Sequence, residues 1–166
     1  MMNNTILNQI EVSVYEACKL HISNLSYEQE GKAYAACQFR LNELKIICRT
    51  AKITPKKTGQ FVTCWKRNDA GITEPFAEND QFDFLVINVS KENSIGQFVF
   101  PKSILKAQGI LSTDKKDGKR GFRVYPVWDK TTNKQAGKTQ SWQLNYFFLL
   151  DEDTDFNQVK TLYQLP

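Results

Sequence analysis

Between Lys115 and Trp142 the chain reads KKDGKRGFRVYPVWDKTTNKQAGKTQSW, with eight Lys/Arg against two carboxylates, Asp117 and Asp129. Phe122, Tyr125, Trp128 and Trp142 are threaded among those cations. Positive charge attracts phosphate whatever the base sequence, and flat aromatic faces stack on exposed bases. Gly118, Gly121 and Gly137 let the backbone turn tightly or approach a ligand closely. The same residues also fit a solvated loop whose rings plug the edge of a core, since large amphipathic rings usually bury their body. The combination favours a binding surface. It specifies a class of partner, nucleic acid, rather than a reaction.

A second stretch, residues 44–68, holds Lys45, Arg49, Lys52, Lys56, Lys57, Lys66 and Arg67 and no acid. The formal net charge is only +4, yet these two stretches carry +7 and +6 and leave the remainder at −9. If they meet in space, the protein presents one basic face on an acidic body. Most lysines of any protein are simply solvated. The candidate nucleic-acid contacts are Arg49, Lys52, Lys66, Arg67, Arg120, Arg123, Lys134 and Lys138, with Tyr125, Trp128 and Trp142 as stacking rings. Arginine grips a phosphate through two parallel bonds where lysine acts as a point charge. No recognition helix, zinc finger or RNP motif appears, so shape- or strand-selective binding is expected rather than base reading in a major groove.

Other chemistry finds little support. The glycines form no phosphate-binding loop or dinucleotide fingerprint, and no serine sits in a nucleophile elbow. A single histidine, His21, argues against His-rich metal clusters and Ser-His-Asp catalysis. Cys18, Cys37, Cys48 and Cys64 show no CxxC pairing and lie in apolar or alternating runs, so they read as buried free thiols of a reducing cytosol. Cys64 as a nucleophile would lack a base. Neither a signal peptide nor a run long enough to span a membrane is visible, so no membrane partner is expected. At 166 residues the chain is expected to form one domain, 1–166, with its own core.

The elements that must position these residues follow from spacing. Asn3–Leu20 reads as an amphipathic helix, with Ile6, Ile10, Val14 and Ala17/Cys18 at helical intervals and Asn4 or Thr5 as its cap. His21 would close it as a terminal cation. Residues 24–31 break the pattern. Residues 32–40 and 44–51 read as a hairpin turning at Leu41–Glu43, residues 60–66 as a third strand, and residues 68–80 as a loop. Phe82–Val89 is nearly continuous in apolar residues, which predicts a central strand covered on both faces and so helices flanking the sheet. Residues 95–100 predict the next strand, 101–108 a short helix stopped by Gly109, and 122–125 a strand stopped by Pro126. Lys130, Lys134 and Lys138 stand four apart ahead of Trp142, a like-charge stripe on a helix that makes sense against an anion. Trp142, Leu144, Tyr146, Phe148 and Leu150 alternate and predict a strand. Asp151, Glu152, Asp153 and Asp155 then read as capping acids of a last amphipathic helix rather than as a metal site. The fold class expected is α+β, with a mixed central sheet between helices.

Three stretches carry a family resemblance: Ala51–Lys56 running into Gly59–Val62 and Trp65–Arg67, Gly96–Ser103, and Lys119–Lys130. Together they resemble the MepB family of small bacterial proteins, named from a staphylococcal multidrug-resistance operon that also encodes an efflux pump and its repressor. The resemblance runs from about the first hairpin to Trp142 and implies a cytoplasmic bacterial protein with an accessory role in drug response. More distantly, the order helix, hairpin, strand, then Asp83–Ile87 and Phe98–Lys102 is similar to PD-(D/E)xK nucleases and Holliday-junction resolvases. That similarity implies a restriction-endonuclease-like core with nucleic acid across its basic side.

Metal-dependent cleavage on such a core needs carboxylates for Mg²⁺ and a lysine near the attacking water. Where the pattern wants Glu-x-Lys, the chain has Thr50-Ala51-Lys52 or Cys64-Trp65-Lys66, which keep the lysine and lack the acid. Glu30, Glu43 and Asp83 would have to converge to supply ligands, and each also has an ordinary surface reading. Asp83 could equally cap a strand end or pair with Arg49. The candidate catalytic set is therefore Glu43, Lys52 and Asp83, none of it a complete site, and no cofactor is expected. The favoured reading is a nucleic-acid-binding protein with a degenerate nuclease-like site. Two alternatives stay open, a Mg²⁺-dependent nuclease and an adaptor for a protein or small-molecule partner.

Overall fold

The computed structural model describes the backbone of residues 2–166 and the side chains from Ile6 onward. The first helix, α1 (Met2–Ile10), widens into a π turn over Glu11–Tyr15 and tightens into a 3-10 turn over Glu16–Cys18. It starts early enough that Asn4 and Thr5 lie inside its first turn, not at its cap. Lys19, left-handed at φ 58°, ends it, so the exposed His21 lies beyond the helix. The expected spacing survives, because Leu7, Ile10, Val14, Tyr15 and Cys18 are all buried.

Six strands form the central sheet: β1 (Ile22–Tyr27), β2 (Cys37–Leu41), β3 (Leu44–Thr50), β8 (Phe84–Lys91), β9 (Ser94–Pro101) and β11 (Phe147–Leu150), in the order β1-β2-β3-β8-β9-β11. Every neighbouring pair is antiparallel except β3–β8, which makes the sheet mixed. The predicted central strand is β8, buried at every position from Phe84 to Val89. Phe84 and Val86 face a layer built by the N-terminal helix and the C-terminal α4 (Phe156–Leu162), while Leu85, Ile87 and Val89 face the opposite layer. Period-two alternation on a strand covered on both sides leaves no polar face, which is why its sequence looks continuous. Asp155 caps α4 by accepting the N–H groups of Asn157 and Gln158, as expected of the acids there.

In the helical layer a buried polar chain fastens both ends of the protein to the central strands. Tyr15 and Tyr163 share a 2.7 Å hydroxyl contact, Tyr163 donates to Gln97 Oε1 at 2.6 Å, and Gln97 Nε2 donates to Asn88 Oδ1 at 2.8 Å. Burial raises both phenols well above their ordinary range, so they stay protonated donors.

The second layer consists of β5 (Gln60–Thr63) between β4 (Lys52–Ile53) and β10 (Gly121–Val124), together with α2 (Lys102–Ala107) and α3 (Lys134–Gln143). A separate ribbon pairs β6 (Trp65–Arg67) with β7 (Thr73–Pro75).

Five local expectations need correction. Residues 22–27, where no element was expected, form the edge strand β1, which is almost wholly exposed and so lacks an alternating pattern. The strand expected from Lys32 begins at Cys37, because Lys32–Tyr34 make a 3-10 turn between left-handed Gly31 and Ala35. The strand expected over 60–66 divides at Cys64 between two sheets, and the loop over 68–80 contains β7. The alternation from Trp142 gives a strand only from Phe147, since α3 runs on through Gln143 and a 3-10 turn takes Leu144–Tyr146.

Candidate functional site

The pairing of β5 with β10 brings the two acid-poor stretches together, with Phe61 opposite Arg123 and Gln60 opposite Val124. Gly59 makes this junction possible. Its φ is +84°, and a Cβ there would stand 2.7 Å from the Tyr125 ring, so only glycine lets the Pro55–Gly59 turn lie on that ring. Arg123 ties the turn down, donating from Nη2 to Thr54 Oγ1 at 2.6 Å and from Nη1 to the Thr58 carbonyl at 3.2 Å. On the other side Gln143 of α3 accepts the Tyr125 N–H at 2.8 Å and donates to the Arg123 carbonyl at 2.9 Å.

Between these elements lies an open cleft of about 570 Å³. Lys56, Lys57, Lys119 and Arg123 contribute to its walls along with Tyr125 and Trp142, and no carboxylate lines it. Nor does any of the four cations join the ion pairs found among the described residues, which involve Arg49, Lys66, Arg67, Lys91 and Lys106. Uncompensated charge in a concave site focuses the field on an incoming anion.

The other residues named from the sequence distribute unevenly about this cleft. Tyr125 and Trp142 line it, Trp142 also packing on Phe100 with ring centroids 5.5 Å apart. Trp128 instead lies edge-on against Phe147, outside the lining. Lys134 and Lys138 are exposed on α3, about 100° round the helix from Gln135 and Thr139, which do line the cleft. Lys130 precedes that helix, so the expected three-lysine stripe keeps two members. Arg120 is exposed and donates to the Thr73 carbonyl, and Lys52 sits 5.2 Å above the Tyr34 ring. Three cleft cations, Lys56, Lys57 and Lys119, were not among the contacts expected from sequence. Their signal was membership of an acid-poor stretch beside a turn-forming Pro55 or Gly118.

Arg49, Lys66 and Arg67 belong elsewhere. They line a second cleft of about 530 Å³ that also holds Glu28, Glu30 and Trp65. Arg49 is only 2% exposed, 3.3 Å from Glu28 and 5.8 Å over the Phe76 ring. Arg67 Nε reaches both Glu30 oxygens at 2.7 and 2.8 Å. Lys66 pairs with Asp80 at 2.6 Å and Glu74 at 3.4 Å. Burial alone would lower its ammonium, but these bonds and charges hold it above its ordinary value. Acids distant in sequence thus compensate this half of the basic stretch.

The candidate metal ligands do not converge. Glu43 is exposed in the β2–β3 turn, and Asp83 at the same end of the sheet caps β3 by accepting the Lys45 N–H at 2.7 Å. Lys52 stands beyond the other end of β3, roughly 20 Å away along extended chain. Glu30 is with Arg67, and Glu28, which is near it, already accepts from Gln38 Nε2 at 3.0 Å and from Arg49. Among the described residues no three His, Cys, Asp or Glu side chains gather in a way that could hold a metal ion. Arginines beside both nearby carboxylates make this donor set a poor fit for Mg²⁺.

All four thiols are buried and free. Burial raises Cys18 and pushes Cys64 up to about 12, while a hydrogen bond with Cys37 that favours the protonated Cys48 thiol, then burial, raises Cys48. At pH 8 a thiol titrating near 12 is about 10⁻⁴ ionised, against about a quarter for an unfolded cysteine near 8.5. Mass-spectrometric counting of iodoacetamide adducts should find Cys64 labelled about 10³-fold more slowly in native protein than in denaturant. Rapid native labelling would mean that this thiol is reactive after all.

No curated protein matches the chain. A structure described as the crystal structure of MepB is similar at 39% identity with a TM-score of 0.77, over 80% of this chain and 89% of that one. The bacterial homing endonuclease I-Ssp6803I is similar at 14% identity with a TM-score of 0.50, over 86% of this chain and 88% of that one. At that identity the likeness is one of fold, a restriction-endonuclease-like architecture. A family model described as MepB-like matches residues 28–149, most of the 166. The chain belongs to the MepB-like family.

Proposed function

We propose that the protein binds nucleic acid through the phosphate backbone at the cleft between β10 and α3, and that it does not cleave what it binds. The observation that carries this reading is the cleft itself, with Lys56, Lys57, Lys119 and Arg123 uncompensated beside Tyr125 and Trp142. Phosphate supplies the missing negative charge and bases can lie on the rings. Lys134 and Lys138, exposed on the adjoining face of α3, extend the positive surface beyond the rim. The second cleft supports the non-catalytic part of the reading, since its carboxylates are occupied by guanidinium groups rather than poised for a divalent cation. A cytoplasmic location suits four free thiols, and none of the described helices is long and apolar enough to cross a membrane.

Salt dependence tests the reading. Each phosphate neutralised on a single strand contributes about −0.7 to the slope of log K against log[salt], so four cleft cations give about −3 and the two α3 lysines steepen it to about −4. Fluorescence anisotropy with labelled oligonucleotides across a salt series measures it. A flat titration, or no binding at low salt, removes the proposal and favours an adaptor that uses the same cleft for another partner.

A further inference from the structure

A phosphate track needs only cations, and the cleft contains more than that. Its volume of about 570 Å³ falls within the roughly 300–1,000 Å³ typical of pockets that enclose small organic ligands. Tyr125 and Trp142 bring aromatic surface to the lining, while Gln135 and Thr139, one turn apart on α3, bring an amide and a hydroxyl. Neither of those two side chains has a hydrogen-bond partner among the bonds of the described residues, so each is available to a polar edge. Arg123 is already held by Thr54 and Thr58, so its guanidinium loses little freedom on meeting a phosphate. A duplex cannot use such a lining, because its bases are paired and stacked inward and it offers only phosphate and groove edges. An unpaired nucleotide presents a ring face, a polar edge and a phosphate together.

We infer that this cleft takes one unpaired nucleotide of a single-stranded nucleic acid, its base against Tyr125 and Trp142 and its phosphate on Arg123 and the flanking lysines. The inference rests on the nucleic-acid reading above and adds strand selectivity to it. The acid-free lining leaves nothing to repel the phosphate, and the open mouth lets the strand continue past Lys134 and Lys138.

The test measures anisotropy of a labelled oligothymidylate and of a labelled blunt duplex at low salt, with thymidine 5′-monophosphate and inorganic phosphate as competitors. Thymidine monophosphate should displace the single strand at a concentration about tenfold or more below that of inorganic phosphate, the lower range of what stacking one base contributes. In a Thr139→Trp variant, which fills the cleft from α3, the ratio of single-strand to duplex affinity should fall about tenfold. Should that variant not fold, Gln135→Glu serves. It sets a carboxylate in the same wall at the first turn of a helix, where an acid is well tolerated. If the mononucleotide competes no better than phosphate, or the folded variant leaves the ratio unchanged while both oligomers bind, the single-nucleotide inference is overturned and the nucleic-acid proposal stands. If neither oligomer binds at low salt, both fall together.

Discussion

A variant carrying Lys56→Glu, Lys57→Glu and Lys119→Glu is expected to bind nucleic acid about 10³-fold or more weakly at moderate salt, yet to unfold at the parent's temperature. Each lysine lost removes a phosphate contact of about 1 kcal/mol, and each carboxylate gained repels at close range by about as much or more. Three such changes sum to several kcal/mol, and about 1.4 kcal/mol is a factor of ten. The salt slope should shrink by about two in the same experiment, because each of the three lysines lost gives up about 0.7 of the single-strand slope. Stability is spared for a different reason. All three side chains are exposed and none takes part in an ion pair of the described residues, and exposed charges contribute little to folding. A double variant, Lys19→Glu with Lys160→Glu, changes charge in the same sense on the helical layer across the sheet and should cost only about threefold. If both variants weaken binding alike, the attraction is diffuse and the cleft has no special part in it.

The parts of the fold that were legible in the sequence are those whose pattern depends on burial. Phe84–Val89 is covered on both faces, and its unbroken apolar run says so. Asp155 announces α4 because a helix start must satisfy its own N–H groups locally. By contrast β1 is an edge strand exposed along nearly its whole length, and an exposed strand writes no alternation. At Cys64 the β pattern continues while the partner strand changes, and periodicity carries no information about partners.

Charge followed the same division. The acid-poor stretches were visible as runs, but the acids that fold against them were not. Glu28, Glu30, Glu74 and Asp80 come from outside the 44–68 stretch and neutralise Arg49, Arg67 and Lys66. What remains uncompensated in the cleft, Lys56, Lys57, Lys119 and Arg123, is the part of the basic surface that tertiary structure left without acids. A count of charge along the chain overstates the basic face wherever a carboxylate from another element is packed against it.

Arg49 shows how far that compensation goes, and it leads to an asymmetric expectation. Glu28→Ala should destabilise the protein by about 3 kcal/mol, whereas Arg49→Met should cost about 1 kcal/mol or less, although both remove the same ion pair. The two side chains differ in what they can do alone. Arg49 is 3% exposed in its side chain and Glu28 is 33% exposed. Deprived of Glu28, the guanidinium keeps the Cys48 carbonyl at 3.0 Å and the Phe76 ring, but its charge stays buried without a counter-ion. Deprived of Arg49, the carboxylate turns toward water and keeps Gln38, while methionine fills the apolar space beside Phe76. For a chain of this length about 3 kcal/mol lowers the melting temperature by roughly 6–12 °C, well within calorimetric reach. Arg49→Met should also leave the salt slope of nucleic-acid binding unchanged, because a side chain this enclosed contributes no phosphate contact. Equal melting temperatures for the two variants would mean that water reaches Arg49 easily. A reduced slope in Arg49→Met would return this arginine to the binding surface.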